Sequence, residues 1–334
     1  RRLRRLPAKH RVWIEDTSST SPGADAFRWF FYASSPSWSN TRHALSNVRA
    51  RMLPSHSAEQ AAKFAARGIA AEGIRRFIDG NPSVEEVEAL AAAGAHPQAP
   101  QAMPETPWLL RLPLRSPTLP PATHTNAYLV GDKDLLVVDP GTPDEGELGR
   151  LLTLVAALRA RGRRLVGIFL THHHFDHASG ASFLQAALGV PILAHPATAE
   201  RVARQLGVAV NQMVNEGELL PIGPTGPTGS GGLRALHTPG HAPGHLCLHE
   251  ESSGELIVGD MVASVGTIVV HPDDDGDMRL YLASLQRLLD AGPRRLWPAH
   301  GAAVQDPTGL LRFYISHRLQ REEGGALVDG DAPS

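Results

Sequence analysis

One heptapeptide, Thr171-His172-His173-His174-Phe175-Asp176-His177, constrains this chain more than any other feature. It follows directly on residues 165–170, an apolar run of strand length. Four imidazoles and a carboxylate packed against a buried strand need a binding partner more than they need solvent. Imidazole nitrogens and carboxylates together suit zinc and similar borderline metals. At a strand's end alternate residues leave in one direction, so His172 and His174 can hold one ion while Asp176 and His177 reach a second.

Further ligands must come from elsewhere, and turns present them downstream. His241 lies in HTPGHAPGH (237–245), where Pro239-Gly240 forces a tight turn. Asp260 follows the apolar run 256–258 through Gly259, and His300 sits in PAHG after another short run. Cys247 is the single cysteine, so an intrachain disulfide and a thiolate cluster are both excluded. Flanked by Leu246 and Leu248, it reads as a core residue.

The rest of the chain alternates strand and helix signals. Short apolar runs at 127–130 and 135–138, with a turn opening on Gly131-Asp132, read as a hairpin. Helices are expected at 145–161, 179–188, 197–206, 278–289 and 308–321. Strands are expected at 165–170, 190–194, 233–236, 246–249, 255–258 and 295–297, with a Gly/Pro/Thr loop over 222–232. Sheets flanked by helices make a layered α/β domain.

The motifs VVDPG (137–141), THHHFDH, TPGH, GD and PAHG, in this order, resemble the metallo-β-lactamase superfamily across residues 108–323. The resemblance implies an αββα sandwich with two metal ions at one edge of the sheets. One ion would take His172, His174 and His241, the other Asp176, His177 and His300, with Asp260 bridging. Asp139 would support the ligand loop. Two zinc ions are implied, with manganese or iron as substitutes. Such ions sit ~3.5 to 4 Å apart and hold a hydroxide between them at neutral pH. Asp176 would then orient the nucleophile and carry a proton to the leaving group.

Within the superfamily the chain is most similar to the lactamase-β-like endoribonuclease subgroup. His245 follows His241 by four residues, and GTIVV (266–270) and YISHR (314–318) are in that subgroup's style. The likeness implies RNA or another phosphodiester as substrate. His317, Arg318 and Arg321 would contact phosphates from a terminal helix, and His245 would support the ligands or meet the substrate. The second resemblance is to glyoxalase II-like thioesterases, implying a thioester or acyl ester of the hydroxyacylglutathione hydrolase type. A metal-binding scaffold without activity is the weakest reading, because the proton-carrying Asp176 is present. His173 is expected to point away from the ions.

Residues 1–107 read as a basic, partly helical appendage and linker. Residues 1–80 hold 14 Lys and Arg against 6 Asp and Glu, whereas the remainder is acidic, which leaves no global basic field to draw nucleic acid. Helical patterns are expected at 58–78 and 84–93, and 94–107 is an Ala/Pro-rich linker. Residues 23–49, GADAFRWFFYASSPSWSNTRHALSNVR, resemble a stretch of isoleucyl-tRNA synthetase. The synthetase's nucleotide-binding signatures are missing, so a remnant or gene-fusion product is expected rather than that activity. The arginine-rich start has no apolar run behind it and does not read as a secretory signal. A cytoplasmic location is expected, or an organellar matrix in a eukaryote, with no membrane partner and a flexible tail at 324–334.

Overall fold

The structure, a computed structural model, describes residues 101–103, 106–222, 232–264 and 266–326. The synthetase-like stretch, the helical patterns expected at 58–78 and 84–93, and residues 327–334 of the expected tail lie outside the described residues, whereas residues 324–326 of that tail belong to the last helix.

Two sheets form the centre. The first runs in the order β1 (Gln101–Met103), β2 (Thr106–Arg115), β3 (His124–Gly131), β4 (Asp134–Val138), β5 (Arg164–Leu170), β6 (Ile192–Ala194) and β7 (Gln212–Met213). The second comprises β8 (Leu219–Leu220), β9 (Leu233–His237), β10 (Leu246–Glu250), β11 (Glu255–Gly259) and β12 (Arg295–Pro298), in the order β12-β11-β10-β9-β8. The helices are α1 (Glu145–Ala160), α2 (Phe175–Ala178), α3 (Ala181–Leu188), α4 (Pro196–Leu206), α5 (Met278–Asp290) and α6 (Pro307–Ala326).

Three apolar clusters define the layers. Trp108, Tyr128, Leu136, Val138 and Phe169 of the first sheet meet Leu233, Leu246, Leu248, Ile257 and Trp297 of the second. On the outer face of the first sheet, Leu135, Val137 and Ile168 pack on Leu148, Leu151 and Leu152 of α1, Leu184 of α3 and Val202 of α4. Beyond the second sheet, Cys247, Leu256 and Val258 pack on Tyr281 and Leu285 of α5 and Leu311 of α6. The order is helix, sheet, sheet, helix, the expected αββα sandwich. Successive β4 residues point into different clusters, which explains why that strand reads as a continuous apolar run instead of alternating.

Two differences from expectation concern the start of the domain and the region after the histidine cluster. The linker expected through 107 already belongs to the sheet in its last part, since Gln101–Met103 pairs with residues of β2. Pro107 and Pro113 conceal β2, because proline argues against a strand. The helix expected at 179–188 is α3 alone, starting at Ala181, and the short α2 inside the heptapeptide precedes it. Asn126 and Tyr128 of β3 both donate to the Pro298 carbonyl, at 2.9 and 2.6 Å, and so fix the turn that carries His300. Among the described residues no helix is long and apolar enough to cross a membrane.

Candidate metal centre

All seven expected ligands gather where β5, β11 and β12 end and the β9–β10 loop turns. Turn geometry brings them there. In TPGH, Gly240 adopts φ 132°, and a Cβ on it would lie 2.2 Å from the Tyr281 backbone, so only glycine lets the loop rest on α5. Gly259 adopts φ 46° directly before Asp260, against His245 and Thr171.

The nitrogens converge in one group. His172 Nε2 lies 2.9 Å from His174 Nδ1 and 3.2 Å from His241 Nε2. A second group consists of Asp176, His177 and His300, with His300 Nε2 3.5 Å and His177 Nε2 3.9 Å from Asp176 Oδ2. Asp260 spans both. Its Oδ2 is 3.6 Å from His241 Nε2, and its Oδ1 is 3.3 Å from His300 Nε2 and 3.5 Å from His177 Nε2.

Outer hydrogen bonds decide which nitrogen faces inward. His241 Nδ1 donates to the Val269 carbonyl at 2.8 Å and His300 Nδ1 to the His124 carbonyl at 3.0 Å. A carbonyl can only accept, so each Nδ1 carries the hydrogen and each neutral ring turns a lone pair inward. His177 Nδ1 does the same to Asp139 Oδ2 at 2.9 Å. Thr171 Oγ1 donates to Asp139 Oδ2 at 2.6 Å, leaving its lone pairs to take the His172 Nδ1 hydrogen at 3.0 Å. His177 Nε2 and Asp260 Oδ1 are buried without a hydrogen-bond partner. Buried polar atoms normally have one, and inward lone pairs beside shared carboxylate oxygens suit metal cations. The residues fit two such ions.

Charge divides the two groups. Burial, reinforced by neighbouring imidazoles, holds His172 well below the usual imidazole range and brings His241 to about 4. Burial also opposes protonation of His177 and His300, but Asp260 and Asp176 override it. His177 is pushed well above the usual range and His300 up to about 9. Burial would raise Asp260, yet His300 and His177 hold it well below the carboxylate range. The carboxylate-bearing end therefore attracts positive charge, while the three-histidine end offers bare lone pairs.

Asp139 receives the Thr171 N–H as well, at 2.8 Å, so one carboxylate orders both the loop and two ligand rings. His245 does not face the ion groups with a free nitrogen. Its Nε2 accepts the Asp260 N–H at 3.1 Å, and its Nδ1 lies 2.8 Å from Thr238 Oγ1. His173 belongs to neither ligand group; it is 1% exposed and lies against His174 and Asp274.

The expected phosphate contacts come out differently. Arg318 is only 8% exposed, and its guanidinium donates inward to Thr267 Oγ1 at 2.9 Å and to the Ile268 carbonyl. It is a packing and loop-holding residue here, because α6 turns that face towards α5. His317 is half-buried and stacks on Phe313, lining a hollow with Gly266, Thr267 and Arg321. Sequence reasoning missed Thr171, Thr118, Asp274 and the carbonyls of His124 and Val269. Thr118 Oγ1 lies 3.4 Å from His300 Nε2. Every residue has a carbonyl, so nothing marks those two, and Asp274 sits in a run of aspartates that reads as a solvated turn.

Comparison with known proteins follows the same lines. The family model for the Metallo-beta-lactamase superfamily matches residues 120–300, more than half of the chain. Lactamase-like protein adaB of Aspergillus niger is 30% identical over 226 residues, covering 67% of this chain and 65% of that protein. An atrochrysone carboxyl ACP thioesterase of Claviceps purpurea is 28% identical, covering 70% of this chain and 69% of that protein. The chain thus spans about two thirds of the length of the curated relatives it matches. A solved metallo-beta-lactamase family protein from Thermus thermophilus superposes with a TM-score of 0.55 at 26% identity, covering 67% of this chain and 84% of that one.

Proposed function

The chain belongs to the metallo-β-lactamase superfamily of hydrolases, and on that premise we propose that it hydrolyses thioesters or related acyl esters with an apolar acyl group. The observation that carries this reading is the rim of the site. Leu119, Phe175 and Val269 are exposed by 53%, 36% and 46%, and each stands beside a site residue in the chain or holds one through its backbone. Leu119 follows Thr118, Phe175 lies between His174 and Asp176, and the Val269 carbonyl holds His241. Exposed apolar side chains around a polar centre fit an apolar acyl chain. Acidic residues stand on the same side, with Asp274 Oδ2 3.1 Å from His174 Nε2 and Asp273 and Asp275 beside it. Asp275 is paired with Arg201, and the charge of Asp273 and Asp274 disfavours a phosphodiester backbone. The thioesterase relative supports the acyl reading.

We infer zinc as the metal, since the donors are imidazole and carboxylate; manganese and iron are the substitutes that metal analysis separates. Bound metal ions supply Lewis acidity and lower the pKa of a water from about 15.7 towards 7. The protein's own residues do the rest. Asp176 stands at the junction of His177 and His300, where Oδ2 can take a proton from the attacking water. It then returns the proton to the departing thiolate or alkoxide, so water and thioester give a carboxylic acid and a thiol. The apolar rim holds the acyl chain and excludes bulk water.

RNA is the second reading, favoured by the hollow in which His317 stacks on Phe313 beside Arg321. Metal-loaded protein assayed in parallel on an acyl-N-acetylcysteamine thioester, S-lactoylglutathione and a single-stranded RNA oligonucleotide separates the two. The acyl reading expects thioester turnover that His172→Ala abolishes, and a KM about tenfold higher in Phe175→Ser for a long acyl chain. RNA cleavage lost in His172→Ala, with all thioesters inert, would overturn it.

A further inference from the structure

Two of the three rings facing the first ion position are contacted from outside by one segment. The Val269 carbonyl accepts from His241 Nδ1 at 2.8 Å, and Asp274 Oδ2 lies 3.1 Å from His174 Nε2. Both contacts come from residues 266–275, between the end of β11 and the start of α5. The Asp274 carboxylate is a close charge contact outside hydrogen-bond geometry, and its negative charge favours the hydrogen on His174 Nε2, which leaves Nδ1 bare towards His172 and His241.

The segment is gripped from two directions. From α6, Arg318 donates to Thr267 Oγ1 and to the Ile268 carbonyl, with its guanidinium 5.8 Å over the Tyr281 ring. From α4, Arg201 Nε donates to Asp275 Oδ2 at 2.9 Å, and the same guanidinium is tied to the Ala197 carbonyl at 3.0 Å. Asp275 itself is left-handed at φ 62°, which closes the turn at Pro272–Asp274. The second ligand group is oriented from elsewhere. Asp139, after β4, holds His177, and the His124 carbonyl of β3 holds His300. His172 shares the Asp139 support through Thr171, but His174 and His241 take their outer contacts from a different part of the fold than His177 and His300.

We propose that residues 266–275 form an orienting strap for the His172, His174 and His241 group, clamped by Arg318 and Arg201, so that metal affinity there is set independently of the Asp176, His177 and His300 group. Arg318, Arg201 and Asp274 are positioning residues acting through the histidine rings. The strap rests on the reading that both groups bind metal. Releasing it frees His174 and His241 to rotate and change tautomer, and outer partners of this kind typically change metal affinity about 10- to 100-fold.

Stepwise cobalt(II) dissociation constants, measured on the full chain by chelator competition, test the proposal. His241→Ala serves as the reference that identifies the step belonging to the three-histidine group. Asp274→Ala and Arg318→Ala are expected to weaken that same step about 10- to 100-fold and to leave the other within about threefold, as for independent sites. Asp274→Asn is expected to recover part of the loss, because its amide oxygen still presents a partial negative charge to His174 Nε2. Equal weakening of both steps, accompanied by a lower Tm, would mark a general structural role and overturn the strap. So would unchanged constants, or loss of a third cobalt equivalent in Asp274→Ala, which would assign Asp274 to a cation held with His173. A native chain that binds no cobalt overturns the metal reading itself; a native chain with two equivalents and insensitive variants overturns only the strap.

Discussion

Asp139 accepts the Nδ1 hydrogen of His177 at 2.9 Å from a backbone held at φ 49°. The same carboxylate accepts from both the N–H and the hydroxyl of Thr171, so no oxygen is spare. Asp139→Asn keeps the left-handed backbone, which asparagine tolerates, but presents an N–H where one acceptor stood. The expected result is metal binding weakened about 10- to 100-fold at the carboxylate-bearing group, read by chelator competition. Unchanged affinity would show that His177 needs no such partner.

Among the described residues, Asp260 is the carboxylate within reach of both histidine groups. Asp260→Ala is expected to lower metal content at both positions and to abolish turnover instead of raising KM alone. Metal per chain, measured by elemental analysis after gel filtration, decides this. Full stoichiometry in the variant would sink the shared role.

Gly259 carries that aspartate on a positive φ, and a Cβ there would lie 2.6 Å from His245 Nε2 and 2.9 Å from Thr171 Oγ1. Gly259→Ala must strain the backbone and push both neighbours. A loss of about 2–4 kcal/mol in unfolding free energy is expected, measured by urea denaturation. A loss under about 0.5 kcal/mol, the level of an ordinary surface change, would contradict the packing described.

His195 stacks on His237 with ring centroids 4.3 Å apart, and burial together with that neighbour lowers it from 6.5 to about 4. A histidine whose folded pKa is depressed favours the neutral form, so its contribution is present above pH 6.5 and is lost as pH falls towards 4. The ring is half-exposed, so solvent screening leaves on the order of 1 kcal/mol. His195→Asn keeps an acceptor for the Ala197 N–H at the start of α4 and removes the titration. Its stability is expected to fall less than the native chain's between pH 6.5 and 4. Parallel curves for the two proteins would refute the assignment.

Most of the layered fold was legible from local pattern. The cores of α1, α4, α5 and α6 were legible as helices, and the apolar runs of β4, β5, β10 and β11 as strands. What escaped were elements with weak local signals. β7 and β8 are two residues each, and β2 contains two prolines. The ligands were legible because metal chemistry demands a narrow set of residue types, and turn-forming glycines and prolines flank them. The inward face of Arg318 was not legible, because a helix pattern does not say which face meets a neighbour.

By itself, the sequence determined the candidate donor set: His172, His174, Asp176, His177, His241, Asp260 and His300, in an order and with turn residues that few folds accommodate. Tertiary structure alone decided which nitrogen of each histidine faces inward. The tautomer depends on acceptors up to 176 positions away, as with the His124 carbonyl behind His300. It also decided that apolar and acidic groups border the ligands while Arg318 turns inward. Those are facts of packing between distant segments, and no local pattern encodes them.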